Sequence, residues 1–236
     1  MRSFGTVKKR IRQASESVIS QNSPDVTDDM KQPNDQDSRY CTRCTRALKA
    51  CLCEYIHPVI NRVPLLILQH PGEVGHPKGT AALLAASLAH VEIRVGEDFR
   101  EDAVLARWLA QRRCYLLWPD EQAQSLASLR ASLPDDAEAP PCFVLLDGTW
   151  RKAYKMLRLN PALAALPRLS LATAEGQYLI RKKPFSTALS TLEAGYHLLS
   201  QWEGDAVRYA PLLSLFHRLN EQWLSYSTRT PESRRP

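Results

Sequence analysis

The sequence predicts an α/β fold, a mostly parallel sheet with helices on both faces, preceded by a small cysteine-rich element. Three observations carry this. Runs of strand length alternate with runs of helix length from residue 62 onward. Most of the strand-like runs are apolar throughout, as strands covered on both faces are. Four cysteines fall within residues 41–53, ahead of the first strand.

RVPLLILQH (62–70) is a buried-strand run, GTAALLAASLAH (79–90) an Ala/Leu-rich helix, and VEIRV (91–95) an alternating, half-exposed strand. REDAVLARWLAQRR (100–113) is an amphipathic helix, CYLLW (114–118) an apolar strand, and DEQAQSLASLRASL (120–133) a helix. A polar, Pro-rich loop (133–141) leads to a third apolar strand, CFVLL (142–146). RLSLAT (168–173) reads as a strand, and 189–204 and 206–226 as two C-terminal helices, with Pro211 marking the true start of the second. Strands alternating with helices imply parallel pairing.

The chain divides into a tail (1–38), a four-cysteine element (39–57), a main domain (58–228) and a flexible C-terminus (229–236). The tail has five basic residues and no acid in its first thirteen positions, then five aspartates and one lysine over 25–37. Such segregated charge with few aromatics predicts disorder. The rest is apolar enough to bury one sizeable core. A net charge of +6 fits either simple solubility or a polyanionic partner. No apolar run reaches the roughly 20 residues of a membrane helix, and the start MRSFGTVKKRIRQ lacks a secretory h-region. A cytoplasmic protein with reduced cysteines is expected. There is no GxGxxG or GxxxxGK[ST] loop, which argues against a nucleoside-triphosphate enzyme.

Cys41, Cys44, Cys51 and Cys53 have the spacing C-x2-C-x6-C-x-C. Two close thiolate pairs suit one tetrahedral zinc ion, and four thiolates fill its shell, so the metal would be structural. Free buried cysteines, a disulfide or an iron–sulfur cluster are the alternatives. Arg43, Arg46 and Lys49 lie between the ligands and would offset their charge. Cys114 and Cys142 open apolar strands and read as core.

Ligands of open α/β sheets bind at the carboxyl ends of the strands. Asp147 follows CFVLL directly, Gly148 permits a tight turn, and Thr149 is placed to cap the next helix. Trp150, Ala153, Tyr154 and Leu157 are expected to face the core, and Arg151, Lys152, Lys155 and Arg158 the outside. Alone, Asp147 could be a helix-capping acid. Its companions are His70 and Glu73 in HPGE at another strand end, and the run Arg181, Lys182, Lys183 between Tyr178 and Phe185. That run suits RNA, with rings for bases and cations for phosphates, or is a solvated loop. Ser190 and Glu193 have capping-box spacing; STLEAGY either only caps its helix or also presents Thr191 and Glu193 to a small ligand.

With HPGE, DGTW (147–150), YLIRKKP, STLEA and the cysteine element in this order, the chain resembles the DTW-domain proteins, tRNA-uridine aminocarboxypropyltransferases, over roughly residues 40–200. Their D-x-T-W signature is met by Asp147, Thr149 and Trp150; a basic residue is expected where HPGE has Gly72. The resemblance implies a SPOUT-like fold with a C-terminal trefoil knot around S-adenosylmethionine. It implies transfer of the 3-amino-3-carboxypropyl arm to N3 of a tRNA uridine, giving acp3U and methylthioadenosine. Asp147 would be the general base, made more basic by burial. Thr149, Trp150, Thr191 and Glu193 would meet the cofactor, and His70, Glu73, Arg151, Lys155 and Arg181–Lys183 the tRNA. Competing readings are a SPOUT-type RNA methyltransferase, a non-catalytic zinc-containing RNA-binding module and a zinc-stapled structural protein.

Overall fold

A computed structural model describes residues 39–133, 141–171 and 189–228. The expected tail, most of the 133–141 loop, the basic run Arg181–Lys183 and the C-terminal residues 229–236 lie outside these. The elements are β1 (Leu65–Gln69), α1 (Ala81–Ser87), β2 (Val91–Val95), α2 (Ala103–Gln111), β3 (Cys114–Leu117), β4 (Gln124–Ser125), α3 (Leu126–Ser132), β5 (Cys142–Asp147), α4 (Trp150–Leu159), α5 (Pro161–Ala164), β6 (Arg168–Ser170), α6 (Thr191–Glu203) and α7 (Ala206–Thr228).

The six strands form one sheet in the order β2-β1-β5-β3-β6-β4, and every pairing is parallel. The strand pleat sends alternate residues to opposite faces, and each face has its own core. Leu65, Ile67, Phe143 and Leu145 pack with α1, α3, α6 and α7. Leu66, Leu68, Val144 and Leu116 pack with α2, α4 and α5. Helices therefore cover both faces, which is why these strands carry no alternating polar side.

Side chains set the helix boundaries. Asp102 accepts from the amides of Val104 and Leu105 at the start of α2, and Ser125 from that of Ser128 at α3. Ser190 and Glu193 form the full capping box of α6, and Gly204, at φ 68°, closes that helix in the left-handed region. Gly195 lets α6 lie against α1: a Cβ there would stand 2.7 Å from Leu84 Cδ2.

Four expectations need correction. Pro211 lies inside α7, which begins at Ala206. The missing amide would have bonded the carbonyl of Val207, a residue that is 86% exposed, so the lost bond falls on the solvent side of the helix's first turn. Trp150 and Tyr154 do not face the core but are 43% and 53% exposed. The buried stripe of α4 is Ala153, Met156 and Leu157, which turns both rings to its flanks. The strand β4 interrupts a region read as helix, and the one-turn helix α5 lies in a stretch given no reading. β4 is two polar residues held by pairing with β6, and α5 starts on Pro161, the favoured first helical residue.

Candidate active site and metal centre

The neighbours β1 and β5 lead to helices on opposite faces, α1 with one core and α4 with the other. Chains that diverge in this way open a crevice at the carboxyl ends of the two strands. Asp147, the last residue of β5, stands there opposite Gln69, the last of β1. Asp147 is 7% exposed. Gln69 Nε2 donates to its Oδ2 at 2.8 Å, and the Thr191 hydroxyl, at the first turn of α6, donates to its Oδ1. Buried carboxylates are tolerated when hydrogen-bonded in this way. The Asp147 carbonyl also accepts from the His70 amide, 2.9 Å. Thr149 caps α4, its Oγ accepting from the Lys152 amide.

Two concavities meet at Thr149. One is an apolar cavity of about 340 Å³, walled by Trp118, Leu145, Trp150, Leu171, Leu189 and Thr191. Trp118 and Trp150 meet edge to face there, centroids 5.3 Å apart. The other is a broad groove of about 750 Å³ along the outer side of α4, lined by His70, Glu97, Arg151, Lys155 and Arg158 among others. Thr149 belongs to both walls.

The groove is wired by charge. The Gly72 amide donates to His70 Nδ1 at 2.9 Å, so Nε2 carries the ring proton and points to Glu97, 2.6 Å away. Lys155 bonds the other Glu97 oxygen; that bond, then His70, holds the Glu97 carboxyl below its ordinary pKa. Lys152 pairs with Glu73 at 2.7 Å and reaches the Gly72 carbonyl at 3.2 Å. A Cβ on Gly72 would come within 3.0 Å of the Lys152 ammonium. A basic group thus stands at Gly72 after all, supplied by α4. Arg151 and Arg158 have no carboxylate partner among the described residues.

Of the residues read from sequence, Asp147, Thr149, Trp150, Thr191, His70, Glu73, Arg151 and Lys155 gather at this strand end, Arg181–Lys183 lie outside the described residues, and Glu193 stands apart. The Glu193 carboxylate accepts from the Ser190 amide in the capping box and does not line the cavity. Gln69, Glu97 and Trp118 were missed. All three stand at or just past the end of a strand, the position that singled out Asp147 and His70.

The four cysteines converge, their sulfurs all within 4.8 Å of one another. Cys41–Cys53 and Cys44–Cys51 sulfur distances are 3.5 and 3.7 Å. Zn–S bonds of about 2.3 Å in a tetrahedron set sulfurs about 3.8 Å apart, so the group can hold one such ion. A multi-iron cluster would spread the thiolates farther. The backbone turns back after Cys44 with Thr45 at φ 58°. Backbone amides, led by that of Cys44, lower the Cys41 thiol to about 6. Burial and then the other sulfurs raise that of Cys53. Four such sulfurs cannot all ionise without a cation among them. Cys114 and Cys142 are buried in the core, as expected.

The profile of the family described as DTW domain matches residues 38–224. The chain belongs to the DTW-domain family. The DTW domain here takes in the cysteine element, the sheet and both C-terminal helices. The chain is similar to proteins named tRNA-uridine aminocarboxypropyltransferase 2. That of Macaca fascicularis is 32% identical over 68% of this chain and 55% of its own length, and that of Mus musculus 33% over the same shares. That of Drosophila melanogaster is 30% identical over 76% of this chain and 72% of its own. The chain thus spans about half the length of the two mammalian relatives. No solved structure matches this chain. Among its described residues, no helix is long and apolar enough to cross a membrane.

Proposed function

We propose that this protein transfers the 3-amino-3-carboxypropyl group of S-adenosylmethionine to N3 of a tRNA uridine, forming acp3U and releasing methylthioadenosine. The observation that carries this reading is the position of Asp147. It is an acid held by Gln69 and Thr191 at the end of β5, two residues before Thr149, where an apolar cavity and a basic groove share a wall. The names of the relatives supply the group transferred and the acceptor.

The cavity suits the cofactor. Trp118 and Trp150 offer aromatic surface to its adenine, and Thr149 and Thr191 offer hydroxyls to its polar groups. When bound, S-adenosylmethionine supplies a sulfonium whose neutral thioether is a good leaving group. Asp147 accepts the N3 proton of the uridine as the N3–carbon bond forms and the carbon–sulfur bond breaks, the bonding pair going to sulfur. Arg151, Lys155 and Arg158 hold RNA phosphates, with Arg181–Lys183 as a second basic contact, and His70 and Glu73 shape the groove. The chain beyond β5 would form the SPOUT knot around the cavity, and zinc would fill the cysteine centre as a structural ion.

The test is mass spectrometry of unmodified tRNA incubated with the zinc-loaded protein and S-adenosylmethionine. A uridine carrying the aminocarboxypropyl group, with methylthioadenosine released in equal amount, is expected. A methylated nucleoside with S-adenosylhomocysteine, or no consumption of the cofactor, overturns the reading. The groove predicts a salt effect as well. Each of Arg151→Ala and Arg158→Ala should lower the slope of log affinity against log salt by about 1. Filter binding of tRNA at several salt concentrations measures this, and unchanged slopes would take the groove out of the RNA path.

A further inference from the structure

We infer that Arg46 is a positioning residue that ties the four-cysteine centre to the loop of residues 70–79, so that the metal element holds one wall of the tRNA groove in place. The inference rests on the proposed function only in naming tRNA as the ligand of that groove.

Arg46 is 8% exposed. Its guanidinium is fully spread: Nε donates to the Ala50 carbonyl (2.9 Å), Nη1 to the Pro77 carbonyl (2.7 Å) and Nη2 to Gln222 Oε1 on α7 (3.0 Å). None of these acceptors is charged. A buried guanidinium needs a counter-charge, and the Cys44 and Cys51 sulfurs beside Arg46, thiolates when they ligate a metal, supply it. A divalent ion inside four thiolates keeps a net negative charge. The metal centre is therefore the counter-ion of Arg46, and Arg46 carries that attraction into the loop.

The loop is held at both ends. At its start, His70 meets Glu97 and Glu73 meets Lys152, which faces the groove. At its far end, Pro77 hangs on Arg46, and the Lys78 ammonium lies 4.4 Å over the Trp223 ring. Internal bonds from the His76 amide to the Glu73 carbonyl and from the Gly79 amide to the His76 carbonyl join the two ends. Releasing Pro77 loosens Glu73, and with it the partner that fixes Lys152.

Hydrogen exchange of the full-length, zinc-loaded chain tests this without either substrate. In Arg46→Lys, which keeps the charge but loses the fork, one zinc per chain should remain, and amides of 70–79 should exchange about tenfold faster, as expected for lost charged hydrogen bonds. Exchange in β1 and β5 should be unchanged. Arg46→Met should do the same to a larger degree. Chelating the metal from the wild type should also open 70–79, and chelation of Arg46→Met should add no further opening. In parallel, the KM for tRNA should rise about tenfold in Arg46→Lys with kcat nearly constant. Unchanged exchange over 70–79 in Arg46→Lys, or opening confined to 41–53 after chelation, overturns the inference. Should Arg46→Met fail to fold, Arg46→Lys and the chelated wild type still decide it. Because exchange needs no turnover, a failure of the proposed reaction leaves this result readable.

Discussion

Replacing Asp147 with asparagine should lower kcat for uridine modification by about 100- to 10,000-fold, the range over which a positioned acid or base contributes, while leaving the fold intact. The side chain is buried, and a shape-changing substitution would be expensive there. Asparagine is nearly isosteric. Its Oδ1 can keep the Thr191 hydroxyl, and the Gln69 amide can turn to offer its carbonyl to the new NH2 group. The network thus survives with its donors and acceptors matched, and only the ability to take a proton is lost. Nucleoside analysis of a time course measures kcat; calorimetric titration with S-adenosylmethionine should show affinity within about threefold of wild type. Activity near the wild-type level in a folded Asp147→Asn protein would remove Asp147 as the base and leave it as a strut between β1, β5 and α6.

Replacing Cys44 with serine should have the largest effect on stability. Cys44 is 1% exposed, and Leu52 and Ile56 of the same element are buried in the core that α7 completes. This short element has no regular strand or α-helix of its own, so the bound ion is what holds its turns. Losing the ion frees both apolar side chains, at about 1.5–3 kcal/mol each. For a chain of this size each kcal/mol shifts Tm by about 2–4 °C, so Tm should fall by roughly 10 °C, with zinc content dropping from one per chain to none. Scanning calorimetry with metal analysis gives both numbers. A serine variant within about 2 °C of wild type, together with a wild type that purifies without metal, would return the cysteines to ordinary buried thiols.

Much of the architecture could be read from the chain because buried parallel strands are apolar on both faces. LLIL, CYLL and CFVLL admit few other readings, and all three lie in the centre of the sheet. The acid after CFVLL and the His-Pro after LLILQ were legible for the same reason, since a polar group directly beyond such a run stands at a strand mouth. Gln69, Glu97 and Trp118 obey that rule too. They were passed over because Gln69 ends its own strand, Glu97 follows a half-exposed one, and Trp118 reads as one more apolar strand residue. The orientation of Trp150 was not legible. A helical wheel assigns a large ring to the core on hydrophobicity alone, whereas this ring belongs to the cavity, whose other walls come from β3, β5 and α6. The two residues of β4 have no signal at all, because tertiary pairing rather than local preference makes them a strand.

Thr149 faces the apolar cavity with one side and the basic groove with the other. On the proposed reaction this has a kinetic meaning. Small donor and large acceptor come in through separate doors, so neither blocks the other, and no part of the donor needs to be parked on the protein between visits. Either partner can arrive first, both must be present before anything happens, and initial-rate plots at several fixed levels of one partner should converge on a point instead of running parallel, the mark of a ternary complex rather than a shuttle.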